Sequence, residues 1–215
     1  MTGHVRSAGT DEKSPKTRIK LCGLTRPCDI GAANGLMPDF IGFVFFKKSR
    51  RYISPEAAAG LKKLLNPAIQ AVGVFVNESP ETAAGLLKSG VIDMAQLHGS
   101  EDSSYIRRLR GLTDKPIIQA FSAGGPEAIE AAEESAADLV LLDSGAGGTG
   151  TAFDWELLRQ MRRPYFLAGG LTPENAGQAV TLLRPWAVDV SSGIETGGVK
   201  DPQKMKAFME AVRRA

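Results

Sequence analysis

Eight short apolar, β-branched runs recur along this chain, with segments of helical spacing between them. They are RIKLC (18–22), FIGFVF (40–45), QAVGVFV (70–76), VIDMAQL (91–97), PIIQAF (116–121), DLVLLD (138–143), YFLAG (165–169) and AVDVS (187–191), and their starts lie a mean of 24 residues apart. Strand then helix, repeated in this way, implies right-handed crossovers and a parallel sheet. The runs are apolar nearly throughout, as expected of strands covered on both faces. Eight such units in 215 residues fit a single α/β domain, a (β/α)8 TIM barrel, whose floor is about 200 residues. An open doubly wound sheet is the structural alternative, but it seldom needs eight such even repeats. Start signals support the helices: Ser54, Ser79 and Thr172 each precede Pro and then Glu, an N-cap followed by the pre-set φ of proline.

Composition removes several classes of function. Two cysteines and two histidines make neither a disulfide framework nor a zinc knuckle and leave the usual metal-ligand supply thin. A net charge of +2 argues against a nucleic-acid partner, which would call for a strong basic patch. No apolar run approaches the roughly 20 residues of a membrane span, and residues 1–17 carry no stretch of the signal-peptide kind. Those residues read as a mobile tail before a barrel spanning 18–215, and the expected location is cytoplasmic. Glycine is in surplus, at 24 of 215 residues, which suggests tight turns or backbone placed close to a ligand.

A barrel of this kind carries its active site on the loops that follow the strands. Strand one ends at Cys22, beside Gly23. A free cysteine is more often a small buried hydrophobe than a catalyst, yet at a strand end its thiolate could serve as base or nucleophile. Cys28 falls in the first helix and reads as packing. Asp143 closes strand six, ahead of Gly145, Gly147, Gly148 and Gly150. Desolvation there would suit it to general-acid work; the blander account is a loop-ordering or helix-capping aspartate. Asp189, inside strand eight, reads as a barrel-interior hydrogen-bonding group. Arg50 and Arg51 follow strand two, where one facing the mouth could clamp a carboxylate. His98, after strand four, is an acid, a base, a donor or simply a loop residue. Gly169-Gly170 precedes a helix expected to open at Thr172-Pro173, and Ser191-Ser192-Gly193 follows strand eight. Small residues at these two loops point to a phosphate site.

The same blocks resemble a known family. KLCGLT (20–25), GFVFFKKSRRYISPE (42–56), VGVFVN (72–77), QLHGSE (96–101), LLDSGAGGTGTAFDW (141–155), LAGGLTPENA (167–176) and DVSSGIETGGVKD (189–201) are similar, in order, to phosphoribosylanthranilate isomerases. The likeness runs from about residue 18 to the C-terminus. It implies an Amadori rearrangement of N-(5-phosphoribosyl)anthranilate in tryptophan biosynthesis, without cofactor or metal. It also implies that Cys22 is the general base and Asp143 the general acid. Arg51, directly before Tyr52, would meet the anthranilate moiety, and Gly169, Gly170, Ser191, Ser192 and Gly193 would bind its phosphate; His98, from its place after strand four, is read as a substrate contact. Leucines at 21 and 24 stand where isoleucine is frequent, a volume-conserving change. Two other readings compete. A histidine-pathway sugar isomerase relies on aspartates ending strands one and five, where this chain has Cys22 and Ala120-Phe121. A catalytically silent phosphate-binding barrel would have lost Cys22 or Asp143. The partner is thus a small phosphorylated substrate, and monomer and homodimer both stay open.

Overall fold

The structure, a computed structural model, describes residues 16–143 and 158–215. Eight strands run β1 (Arg18–Cys22), β2 (Phe40–Val44), β3 (Gln70–Phe75), β4 (Met94–Leu97), β5 (Ile117–Ser122), β6 (Leu139–Asp143), β7 (Tyr165–Ala168) and β8 (Ala187–Val190). Each pairs in parallel with the next, and β8 pairs with β1, so the sheet closes into a barrel. Helices α1 (Pro27–Leu36), α2 (Pro55–Leu64), α3 (Pro80–Lys88), α4 (Ser103–Arg110), α5 (Pro126–Glu133), α6 (Ala176–Leu183) and α7 (Pro202–Arg214) follow strands one to five, seven and eight. The helix expected after β6, with the glycines from 145 to 150, lies outside the described residues. A two-stranded antiparallel hairpin, β9 (Glu195–Thr196) and β10 (Val199–Lys200), follows β8.

Local chemistry explains where the strands begin. Before β2, β4 and β6, the carboxylates of Asp39, Asp93 and Asp138 accept the backbone N–H of Ile19, Ala71 and Ile117 at 2.9, 2.7 and 2.7 Å. Each closes the entry end of the preceding strand. Strand four was expected over 91–97 but starts at Met94. The Asp93 side chain, rather than a backbone carbonyl, takes the Ala71 N–H, so regular pairing begins one residue later.

Two helix starts behave as the Ser-Pro-Glu pattern expects. Ser54 accepts from Ala57 N at 3.2 Å, and Ser79 accepts from Thr82 N at 3.1 Å. The third does not: α6 begins at Ala176, after Asn175. The Asn175 side chain accepts from Thr172 N at 2.8 Å and donates to Gly170 O at 2.9 Å. That bridge holds 170–175 as a turn joined to the β7 loop. Cys28 also differs from expectation, being exposed on the first turn of α1 rather than packed.

The barrel interior is filled by Phe40, Val72, Met94, Ile118, Leu141 and Phe166. Phe40, Phe166 and Trp186 form a triangle of rings with centroids 5.2–5.9 Å apart. Burying a large apolar side chain contributes about 1.5–3 kcal/mol relative to exposure, so this apolar floor is a rigid base for the mouth. Within the same interior stand three polar residues, fully or nearly buried: Lys20, Gln96 and Asp189.

Candidate active site

Lys20 and Cys22 are two residues apart on β1, so both side chains leave the same face of the strand. The Lys20 ammonium donates to Asp189 Oδ2 at 2.7 Å and to Gln96 Oε1 at 2.8 Å. An ammonium only donates, so Gln96 presents its oxygen to Lys20 and its NH2 to His98 Nδ1, 2.9 Å away. This fixes the His98 tautomer: Nδ1 accepts, and the Nε2–H faces Asp143 Oδ2 at 3.5 Å. A polar row therefore runs from β1 through β4 to β6, linking the surroundings of Cys22 to Asp143.

Cys22 is buried, and its sulfur lies against Gly42 of β2, where a Cβ would come within 2.6 Å of it. Burial pushes the Cys22 thiol above its ordinary range; Lys20 and Lys200 pull it down, Asp189 pushes it up, and burial prevails. Burial also opposes the Lys20 charge, but attraction and hydrogen bonding from Asp189 and Cys22 together outweigh it and leave the ammonium above its usual range. Lys20 is thus a fixed cation beside the thiol. Asp189 Oδ1, buried, has no hydrogen-bond partner among the described residues.

The loops after β7 and β8 close one side of the mouth. Gly169 and Gly170 adopt left-handed φ values of 88° and 61°. Gly193 packs against the other loop: a Cβ there would sit 1.9 Å from the Leu171 carbonyl oxygen. A short 3-10 turn, Ser192–Ile194, follows Ser191. Ser191 donates to the Cys22 carbonyl at 3.2 Å, and Lys200 donates to the Ser191 carbonyl at 2.8 Å. Arg51 stands beside the loop after β8, since a Cβ at Gly23 would meet Arg51 Cδ at 2.5 Å and Ser191 Oγ at 3.3 Å. Its Nε and Nη2 reach Glu195 Oε1 and Oε2 at 2.6 and 3.0 Å, a bidentate pair.

Cys22, Arg51, His98, Asp143, Gly169, Gly170, Ser191, Ser192 and Gly193 all line one cleft of about 780 Å³ at the C-terminal ends of the strands. Of the two arginines after β2, only Arg51 is in its lining. Reasoning from strand ends missed Lys20, Gln96, Glu195 and Lys200. The first two could have been found from a charged or amide side chain inside an apolar strand, two residues before a strand-end polar group. Among the described residues no group of three His, Cys, Asp or Glu could hold a metal ion, and no helix is long and apolar enough to cross a membrane.

A (β/α)8 barrel with a thiol and a carboxyl at separate strand ends, an anchored arginine, and paired small-residue loops after β7 and β8 defines an enzyme class: barrels that work by acid–base chemistry on phosphorylated small molecules. The comparisons narrow that class. A family model described as N-(5'phosphoribosyl)anthranilate (PRA) isomerase matches residues 19–211. An N-(5'-phosphoribosyl)anthranilate isomerase from Endomicrobium trichonymphae is 42% identical over 200 residues, covering 91% of this chain and 98% of the relative. The crystal structure of phosphoribosyl anthranilate isomerase from Thermotoga maritima superposes with a TM-score of 0.83 at 36% identity, covering 93% of this chain and 100% of the other. A phosphoribosyl anthranilate isomerase in complex with reduced 1-(o-carboxyphenylamino)-1-deoxyribulose 5-phosphate gives 0.81 at 36% identity, with 93% and 100% covered. The chain belongs to the N-(5'-phosphoribosyl)anthranilate isomerase family.

Proposed function

We infer that Cys22 and Asp143 are the general base and general acid of the isomerisation for which the family is named, the conversion of N-(5-phosphoribosyl)anthranilate to 1-(2-carboxyphenylamino)-1-deoxyribulose 5-phosphate in tryptophan biosynthesis. The observation that carries this reading is the placement of a buried thiol and a carboxyl at the ends of β1 and β6, in one cleft with the small-residue loops.

Asp143, protonated, gives its proton to the furanose ring oxygen. The C1–O bond breaks as the nitrogen lone pair forms a protonated Schiff base, and the ring oxygen becomes a hydroxyl. Cys22, as thiolate, removes the proton from C2, and the C2–H electron pair forms the double bond of an enolamine. Protonation at C1 and loss of the enol proton give the ketone, and return of a proton through solvent from the Cys22 thiol to the Asp143 carboxylate restores the starting thiolate and acid, so atoms and charge balance over the cycle.

The order of steps follows from electrostatics. Burial disfavours the Cys22 thiolate, and the cation created at the Schiff base favours it when C2–H has become acidic. His98, with its Nε2 toward Asp143, orients the acid. Asp189 Oδ1 offers a buried acceptor to a sugar hydroxyl. The loops of Gly169-Gly170 and Ser191-Ser192-Gly193 receive the phosphate, and the Arg51 guanidinium faces the aryl carboxylate.

Positioned proton transfer contributes roughly 10²–10⁴-fold per group. Cys22→Ala and Asp143→Asn are each expected to lower kcat by that factor while a reduced product analogue still binds, measured by anthranilate fluorescence and by titration calorimetry. Near-normal kcat in either variant overturns that residue's role.

A further inference from the structure

Glu195 takes no part in the proton transfers above, yet it gathers more charge than any other carboxylate at the mouth. Its side chain is 4% exposed. Oε1 accepts from Arg51 Nε at 2.6 Å and Lys200 Nζ at 2.7 Å; Oε2 accepts from Arg51 Nη2 at 3.0 Å and Arg50 Nη2 at 2.9 Å. Three cations meet one carboxylate, so the group as a whole stays positive. Arg51 lines the cleft, whereas Glu195 is absent from its lining.

The geometry of the fork decides what this does. A guanidinium has five N–H donors on two usable edges. Glu195 occupies the Nε/Nη2 side edge, which leaves the Nη1/Nη2 end edge for a second carboxylate. A bidentate partner also fixes the rotation of a long side chain that would otherwise lose rotamer entropy on binding. Lys200 extends the link: besides Glu195, it donates to the Ser191 carbonyl at 2.8 Å and hydroxyl at 3.3 Å. The anchor of the arginine and the loop after β8 are thus joined through the β9–β10 hairpin.

We propose that Glu195 is a positioning residue for substrate selection: it presents the free edge of Arg51 to the aryl carboxylate and holds that edge at a set distance from the phosphate loop. This rests on the reading of Arg51 as the group that meets the carboxylate. On this view Glu195 matters for a substrate bearing the carboxylate and hardly at all for one lacking it.

The experiment compares phosphoribosylamines formed in situ from ribose 5-phosphate with anthranilate or with aniline, following the aminodeoxyribulose products by liquid chromatography. Glu195→Gln is expected to lower kcat/KM for the anthranilate substrate about 10- to 100-fold, chiefly through KM, and to change the aniline substrate less than about threefold. In an Arg51→Ala background, Glu195→Gln is expected to have no further effect on the anthranilate substrate. Equal loss on both substrates, or multiplied losses in the double variant, would show that Glu195 only supports the hairpin and overturns the proposal. Should Glu195→Gln fold poorly, Glu195→Asp, which retains the charge but shortens its reach, is expected to give the same selective loss on a smaller scale. The underlying reading fails separately: it does so if Arg51→Ala alone leaves the preference for the anthranilate substrate unchanged.

Discussion

Removing the Lys20 charge tests the electrostatics of the base directly. Lys20→Met keeps most of the side-chain volume and deletes the ammonium that bonds Asp189 and Gln96. Unit charges about 4 Å apart attract by about 4 kcal/mol at an effective dielectric of 20. Asp189, on the same ammonium, cancels much of that at the sulfur. A remainder of about 1.4 kcal/mol is tenfold in thiolate population. Alkylation of Cys22 by iodoacetamide at fixed pH is therefore expected to slow at least about tenfold, and the basic limb of the kcat/KM profile to move to higher pH. Cys28 is exposed and would react too, so the measurement belongs in a Cys28→Ser background.

The sign of each neighbour makes the test stricter. Asp189→Asn leaves Lys20 unopposed and should speed alkylation, while Lys20→Met with Asp189→Asn should fall between the single variants. Stability follows another pattern. Lys20→Met strands a buried carboxylate, at a cost of about 3–5 kcal/mol, and the double variant recovers most of it because no unpaired charge remains. An alkylation rate in Lys20→Met equal to or above that of the parent would refute the reasoning, whatever happens to stability.

Gly193→Ala forces a Cβ to within 1.9 Å of the Leu171 carbonyl, and backbone on both sides must shift. KM and the inhibition constant for inorganic phosphate are both expected to rise at least about tenfold, with overpacking costing about 1–3 kcal/mol of stability. The second test concerns acid. Burial pushes the Glu195 carboxyl up, but hydrogen bonds from Arg51 and Lys200 hold it below the usual range. A depressed carboxylate contributes stability above its unfolded pKa of about 4.3 and loses it as pH falls through the folded value. Urea unfolding of Glu195→Gln should accordingly show a shallower decline below about pH 5 than the parent.

The repeat was legible because a parallel barrel covers both faces of each strand, which leaves apolar runs separated by capped helices. The same sequence pattern did not always yield the same structure. Ser54, Ser79 and Thr172 each precede Pro-Glu, yet only the serines cap helices at that point. Asn175 bonds both Thr172 and Gly170, and a contact to the β7 loop overrides the local preference. Asp93 trimmed β4 in a similar way, through a partner 22 residues earlier. The strand-end rule found Cys22, Asp143, Arg51 and His98, because position along a strand can be read from the run itself.

Lys20, Gln96 and Asp189 sit deeper, and their meaning lies in a constraint that spans three strands. The interior beneath them is packed with rings and branched chains. A polar group there costs free energy unless it is hydrogen-bonded. Three inward polar residues on β1, β4 and β8, carrying a positive, a neutral and a negative side chain, meet most of that demand by bonding one another, with Gln96 also reaching His98. The two-residue spacing then fixes what each one holds up: Lys20 lies beneath Cys22, Gln96 beneath His98, and Asp189 beneath Ser191. Glu195 offered no comparable signal, since its arginine partners stand 144 and 145 residues away in sequence and nothing in the hairpin's own pattern points to them. Polar residues inside otherwise apolar strands thus foretell the floor of such a site, whereas the anchors of its mouth become visible only when the loops are brought together.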